Sequence, residues 1–228
     1  MAEKRKFSLK RAFKKAVLGI AAFVTFAYGS YYQAFYAGRG DRLTTGEAAA
    51  VTEIFGGQVN TTSIRKHFKD DDHFTHLFRW AQGTVLPPFS HIDFFGEWVR
   101  SPDFSKSDRQ HFGFFMHEVT HTWQGQNWRF SSHEVGRYDY DHRLNAQSRF
   151  RDFGTEQQAE LVEAYAEAFI HPDGAQMPRT PQLMQVQRVV EEQFPQARVT
   201  RERLERERAA TPAPAKNTKP APTPPRNS

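Results

Sequence analysis

One segment, "SKSDRQHFGFFMHEVTHTWQ" (residues 105–124), restricts the fold more than any other part of the chain. Phe112, Phe115, Met116, Val119 and Trp123 recur at helical spacing, so one face of this helix must be buried against other elements. His117, Glu118 and His121 fall off that stripe, which leaves three polar groups on a helix committed to a core. Ser105 and Asp108 read as its N-terminal cap and Gly125 as its stop.

Residues four apart stack on one helix face. His117 and His121 can therefore offer two imidazole nitrogens to one metal ion. Glu118 leans in from the side, able to take a proton from bound water without being a ligand. This is the mechanical content of an H-E-x-x-H match. The chain has no cysteine, which excludes thiolate metal sites and a disulfide framework, so any metal sits on His and carboxylate ligands. The bland alternative is a pair of histidines on a solvated helix face.

A catalytic site needs a third protein ligand. "TEQQAELVEAYAEAFI" (residues 155–170) is predicted to be helical, opened by a Thr155/Gln158 capping box, with Leu161, Val162, Tyr165 and Phe169 as its apolar stripe. Glu156 in its first turn is the leading candidate. Glu160 could accept a hydrogen bond from the far nitrogen of a ligating histidine and fix its tautomer. His133, Asp141 and His142 are the alternative third ligands, and Glu156, Glu160, Glu163 and Glu167 also fit a solvated acidic stripe. Tyr138, Tyr140 and His142, on the loop between the two helices, are candidate donors to an oxyanion.

The remaining elements are shorter. "LTTGEAAAVTEIFGG" (43–57) is a helix with a Thr44/Glu47 capping box and a Gly56-Gly57 end. "SIRKHF" (63–68) and "HIDFFGEWV" (91–99) have strand character, with Gly83 and Pro87-Pro88 as punctuation. A further helix covers 181–193, and "RERLERERAA" (201–210) reads as a short exposed one. Twenty-one phenylalanines among 228 residues predict an aromatic-rich core.

The net charge of +5 is concentrated at the ends. Lys4, Arg5, Lys6, Lys10, Arg11, Lys14 and Lys15 precede an uncharged stretch at 16–38, and Lys216, Lys219 and Arg226 lie in the tail, so the middle between them carries no positive excess. That distribution argues against a nucleic-acid partner. It matches an export signal cleaved after a small-residue site, or an uncleaved anchor long enough to span a bilayer with Tyr28, Tyr31, Tyr32 and Tyr36 at the interface. The expected location is outside the cytoplasm: inner-membrane anchored and facing the periplasm, or periplasmic or secreted after cleavage. The proline-rich tail has too few apolar side chains to offset chain entropy and is expected to be disordered.

H-E-x-x-H on one helix followed by E-x-x-A-E on the next resembles the gluzincin metallopeptidases. More narrowly, "LTTGEAAAVTEIFGG", "IDFFGE", "PDFS", "FMHEVTHTWQ", "YDYDHRL" and "FRDFGTEQQAELVEAY" resemble the metallopeptidase-like proteins associated with bacterial Rhs and Vgr elements, over about residues 42–170. The resemblance implies a zinc site of His117, His121 and Glu156, with Glu118 as general base for zinc-bound water that hydrolyses a peptide bond. Glu160 stands where aspartate is commoner, which leaves its supporting role open.

The expected architecture is α+β and mainly α-helical. A zincin-like domain with a small β-sheet occupies 41–195, between the N-terminal basic and apolar segment (1–40) and a charged, then Pro/Ala-rich tail (196–228). The expected cofactor is Zn2+ and the expected partner is a peptide or protein substrate, with the membrane contacted through 16–38 if the leader is kept. The rival reading is a membrane-tethered, non-catalytic interaction or structural protein on the same scaffold. The presence of Glu118 favours chemistry, because a structural site needs ligands and no base.

Overall fold

The computed structural model describes residues 39–69, 83–86, 89–129 and 144–210. The expected leader (1–38), most of the loop between the two ligand helices (130–143) and the proline-rich tail (211–228) lie outside the described residues. Among the described residues, no helix is long and apolar enough to cross a membrane.

The chain is α+β and mainly helical, with one mixed four-stranded sheet among the described residues. Strand β1 (Asp41–Arg42) leads into helix α1 (Thr45–Phe55). Strands β2 (Arg65–Lys69), β3 (Gly83–Leu86) and β4 (His91–Phe95) follow, in the order β1-β2-β4-β3. β4 pairs parallel with β2 and antiparallel with β3, which is therefore an edge strand. Gly83, read from sequence as punctuation, opens β3.

Helix α2 (Arg109–Gln126) carries the H-E-x-x-H stretch, and α3 (Thr155–Tyr165) follows it and ends in a π-helical turn at Ala166–Ile170. Gln124 of α2 meets Thr155, while Arg109 at the other end of α2 meets Glu167 just beyond α3, so the two run antiparallel. Helices α4 (Pro181–Gln193) and α5 (Pro195–Ala210) close the body. The charged run expected to form a short exposed helix is part of α5, whose Ala197 and Thr200 are buried and whose Arg203 pairs with Glu53 of α1.

The stripe on α2 is buried as its spacing requires: Phe115, Met116 and Val119 have no solvent exposure. A run of rings ties this helix to the sheet, with Phe94 of β4 5.0 Å from Phe104 and Phe104 stacked 5.0 Å from Phe115. At the other end Trp123, Phe150 and Phe194 meet edge to face, the geometry that aligns ring edges with ring faces. The core is aromatic, as the composition predicts.

The Thr44/Glu47 capping box forms as expected. Glu47 does more than cap. Its buried Oε1 also accepts from the Lys66 ammonium at 2.6 Å and from the Phe104 amide, joining α1 to β2 and to the turn before α2.

Two expected helix boundaries differ. Asp108 alone caps α2, accepting from the His111 amide, and the helix runs through Gly125 to Gln126. Gly125 is there for contact: a β-carbon at that position would lie 2.0 Å from Cγ of Phe89. At α3 the N-cap is Gly154, whose N–H donates to Gln157, one residue before the expected partner. Gln158 is buried and used elsewhere.

Candidate metal centre

The helical spacing of His117 and His121 sets their rings side by side, 5.0 Å apart and nearly perpendicular. The antiparallel packing of α3 then brings Glu156 opposite both. Its Oε2 lies 3.5 Å from Nε2 of His117 and 3.3 Å from Nε2 of His121. One atom from each of the three residues lies within 4.8 Å of the others, and the group could hold a metal ion.

The two approaches to Glu156 are compatible with shared coordination of one cation. A charge-assisted N–H···O contact is normally about 2.7–2.9 Å, shorter than either approach here. Atoms bound tetrahedrally at about 2.0–2.2 Å stand about 3.3–3.6 Å from one another. Two nitrogens and a carboxylate oxygen also make a donor set suited to zinc, with no thiolate needed. The three side chains keep 10%, 14% and 16% exposure, so the group is mostly enclosed without being sealed from solvent.

Both far nitrogens are held. Nδ1 of His117 meets Glu163 Oε2 at 2.9 Å, and Nδ1 of His121 meets Gln124 Oε1 at 2.9 Å. The orienting role expected of Glu160 thus falls on Glu163 and Gln124. Residue 163 is seven positions beyond Glu156, nearly in line with it on a 3.6-residue helix, whereas residue 160 is turned further away. Glu163 belongs to the acidic stripe visible in the sequence. Gln124 was missed, although its position three residues beyond His121 on the same helix was a usable signal.

Glu118 sits between α2 and the edge strand. It is buried, its Oε2 has no hydrogen-bond partner, and its Oε1 lies where a β-carbon on Gly83 would come within 2.3 Å. Burial pushes its carboxyl pKa upward, against the opposing pull of His121 and His117. Burial likewise disfavours charge on His117, but Glu156, Glu163 and Glu118 outweigh it and raise that pKa to about 10. Burial raises Glu156 in turn, and the two imidazoles more than reverse this, holding it far below the usual carboxylate range. The shifts on His117 and Glu156 share one cause: carboxylates and imidazoles held against one another in a partly buried cluster.

Phe114 stacks on His117 at 6.3 Å, and the half-exposed Trp98 lies 5.8 Å from Phe114, so an aromatic edge flanks the site. Tyr138, Tyr140 and His142, and the alternative ligands His133 and Asp141, lie outside the described residues.

No protein-family model matches the chain. An alignment 164 positions long, covering 66% of the chain, is 32% identical to the type VI secretion system spike protein VgrG2b of Pseudomonas aeruginosa. The chain is related to part of a Vgr protein. It spans only 15% of that protein's length. Among solved structures, the effector domain of Pseudomonas aeruginosa VgrG2b matches over 80% of this chain and 98% of its own, at 25% identity and a TM-score of 0.49. The sequence match to VgrG2b supports the expected link to Vgr-associated proteins.

Proposed function

We propose that this domain is a zinc-dependent, gluzincin-like peptidase, acting as a Vgr-associated effector on a peptide or protein substrate outside the cytoplasm. One observation carries the reading: three ligand atoms, from His117, His121 and Glu156, converge beside a buried carboxylate, Glu118, that has an unpartnered oxygen.

Zinc supplies a Lewis acid that polarises a carbonyl and acidifies water. His117, His121 and Glu156 would hold it, leaving room for a substrate atom on the solvent side. Glu118 takes the proton from the attacking water and delivers it to the leaving nitrogen as the C–N bond breaks. Its unpartnered Oε2, buried beside the three ligands, is free to take that proton and to release it again. Tyr140 and His142 are the proposed donors to the oxyanion.

Support from the relative is confined to its name: VgrG2b is a secretion-system spike protein with an effector domain. Delivery to a target beyond the cytoplasm is part of the proposal, as are the leader or anchor at 16–38 and its membrane contact.

The test is metal content by mass spectrometry, followed by cleavage of an unstructured protein, for wild type, His121→Ala and Glu118→Gln. One zinc per chain in wild type and Glu118→Gln, its loss in His121→Ala, and cleavage by wild type alone is the expected pattern. Folded wild-type protein that takes up no zinc would end the proposal. Zinc uptake without cleavage of any peptide bond would leave the non-catalytic scaffold.

A further inference from the structure

The bond from His121 to Gln124 is the end of a longer buried chain of amides with a single allowed direction. Gln158 Nε2 donates to two backbone carbonyls, Phe150 O at 3.3 Å and Phe153 O at 2.9 Å. A carbonyl can only accept, so this nitrogen cannot be the side-chain oxygen, and Gln158 Oε1 must point the other way. That oxygen accepts from Gln124 Nε2 at 3.0 Å, and the same nitrogen donates to Thr155 O at 2.9 Å. Gln124 is therefore locked too, with Oε1 turned to His121 Nδ1. Neither amide can flip without setting oxygen against oxygen. Gln124 has no exposure and Gln158 only 6%, so water cannot replace the lost bonds without a rearrangement.

We infer that Gln124 and Gln158 form a positioning relay that obliges His121 to carry its proton on Nδ1 and present the lone pair of Nε2 to the metal. The inference rests on the metal-centre reading above. The backbone carbonyls around Phe150 and Phe153 choose the tautomer of a ligand on another helix. The relay also bridges the ligand elements. Thr155 immediately precedes Glu156, so the amide that orients His121 grips the first turn of the helix that supplies the third ligand. His117 is held differently, by the carboxylate of Glu163. One histidine is thus backed by an anion and the other by a neutral amide, so the site gains negative charge from Glu163 and geometric order from Gln124.

The test uses the full chain as wild type, Gln124→Met, Gln158→Met and Tyr165→Phe. Methionine keeps the length and removes every bond of the amide. Tyr165→Phe cuts a buried bond to Glu191 and Ala197 away from the site and serves as the control for general destabilisation. Zinc affinity is read by competition with a chelator, the His121 Nδ1–H by nitrogen-15 NMR of the zinc-loaded protein, and thermal stability alongside. Gln124→Met is expected to weaken zinc about 10–100-fold and to expose the Nδ1–H to fast exchange. Gln158→Met touches no ligand, yet it should lower zinc affinity and speed that same exchange, while Tyr165→Phe lowers the melting temperature and leaves both unchanged. Wild-type affinity and proton protection in both glutamine variants would overturn the relay and leave the metal centre standing. Equal loss of affinity in all three variants, tracking melting temperature alone, would also overturn it. A wild-type protein that binds no zinc would remove the metal centre, and the relay's role with it.

Discussion

Gly83 and Glu118 occupy one space: a β-carbon at residue 83 would stand 2.3 Å from Oε1 of Glu118 and 2.4 Å from its Cδ. The missing side chain on the edge strand is what lets the carboxylate lie against the backbone beside the ligand helix. Gly83→Ala is expected to push Glu118 aside while leaving the three ligands in place. A displacement of about 1 Å in a reacting group costs on the order of 10²-fold in rate. Zinc content and peptide turnover measured together check this. Full turnover in the variant would mean that Glu118 is not the base.

Glu163→Gln replaces the anion behind His117 with a neutral amide of the same shape. The weaker hydrogen bond makes the imidazole a poorer donor to the cation, and zinc affinity should fall by about 10–100-fold. Isothermal titration against a competing chelator would report it. An unchanged affinity would show that Glu163 is only part of the solvated stripe.

The ion pair of Lys66 and Glu47 is buried, at 1% and 0% exposure. Lys66→Met leaves Glu47 charged and without its cation, although the amides of Thr44 and Phe104 still reach it. Removing one member of such a pair typically costs about 3–5 kcal/mol. Urea unfolding at neutral pH should show a lower midpoint with an unchanged slope; a loss below about 1 kcal/mol would contradict the assignment.

His67 and His91 lie on adjacent strands with Nε2 and Nδ1 2.8 Å apart, both buried. Burial lowers both pKa values, that of His67 to about 4, with Asp93 opposing the shift in each case. The folded state then binds fewer protons than the unfolded state between about pH 6.5 and pH 4. Stability is fully present above that window and falls as the pH drops through it, by up to about 1.4 kcal/mol per pH unit for each proton taken up on unfolding. His67→Phe should flatten the dependence of the urea midpoint across this range. An equally steep dependence in the variant would assign the acid sensitivity to other groups.

Much of the site was visible before any fold was known, because its signals are local. His117 and His121 share a face through helical geometry alone, and Glu118 follows from the motif. Glu156 needed an open choice among four candidates, since nothing in the spacing says which distant residue meets α2. The antiparallel approach of α3 brings Glu156 opposite both imidazoles, and the other three lie outside the described residues. Gln124 and Glu163 were overlooked as partners of the imidazoles for the same reason, and Gly83 looked like a turn residue because its function is a close approach across the fold.

The sequence by itself determined the buried stripe of α2, the capping box of α1, the aromatic character of the core and the chemistry of the donor atoms. Each depends on residue type and on spacing within one element, where geometry is set by the backbone. Only the tertiary structure decided which carboxylate comes to face both imidazoles, which partners hold the far nitrogens, and why Gly125 lies inside a helix that it was expected to end. Those outcomes depend on distances between elements far apart in the chain, and packing alone determines such distances.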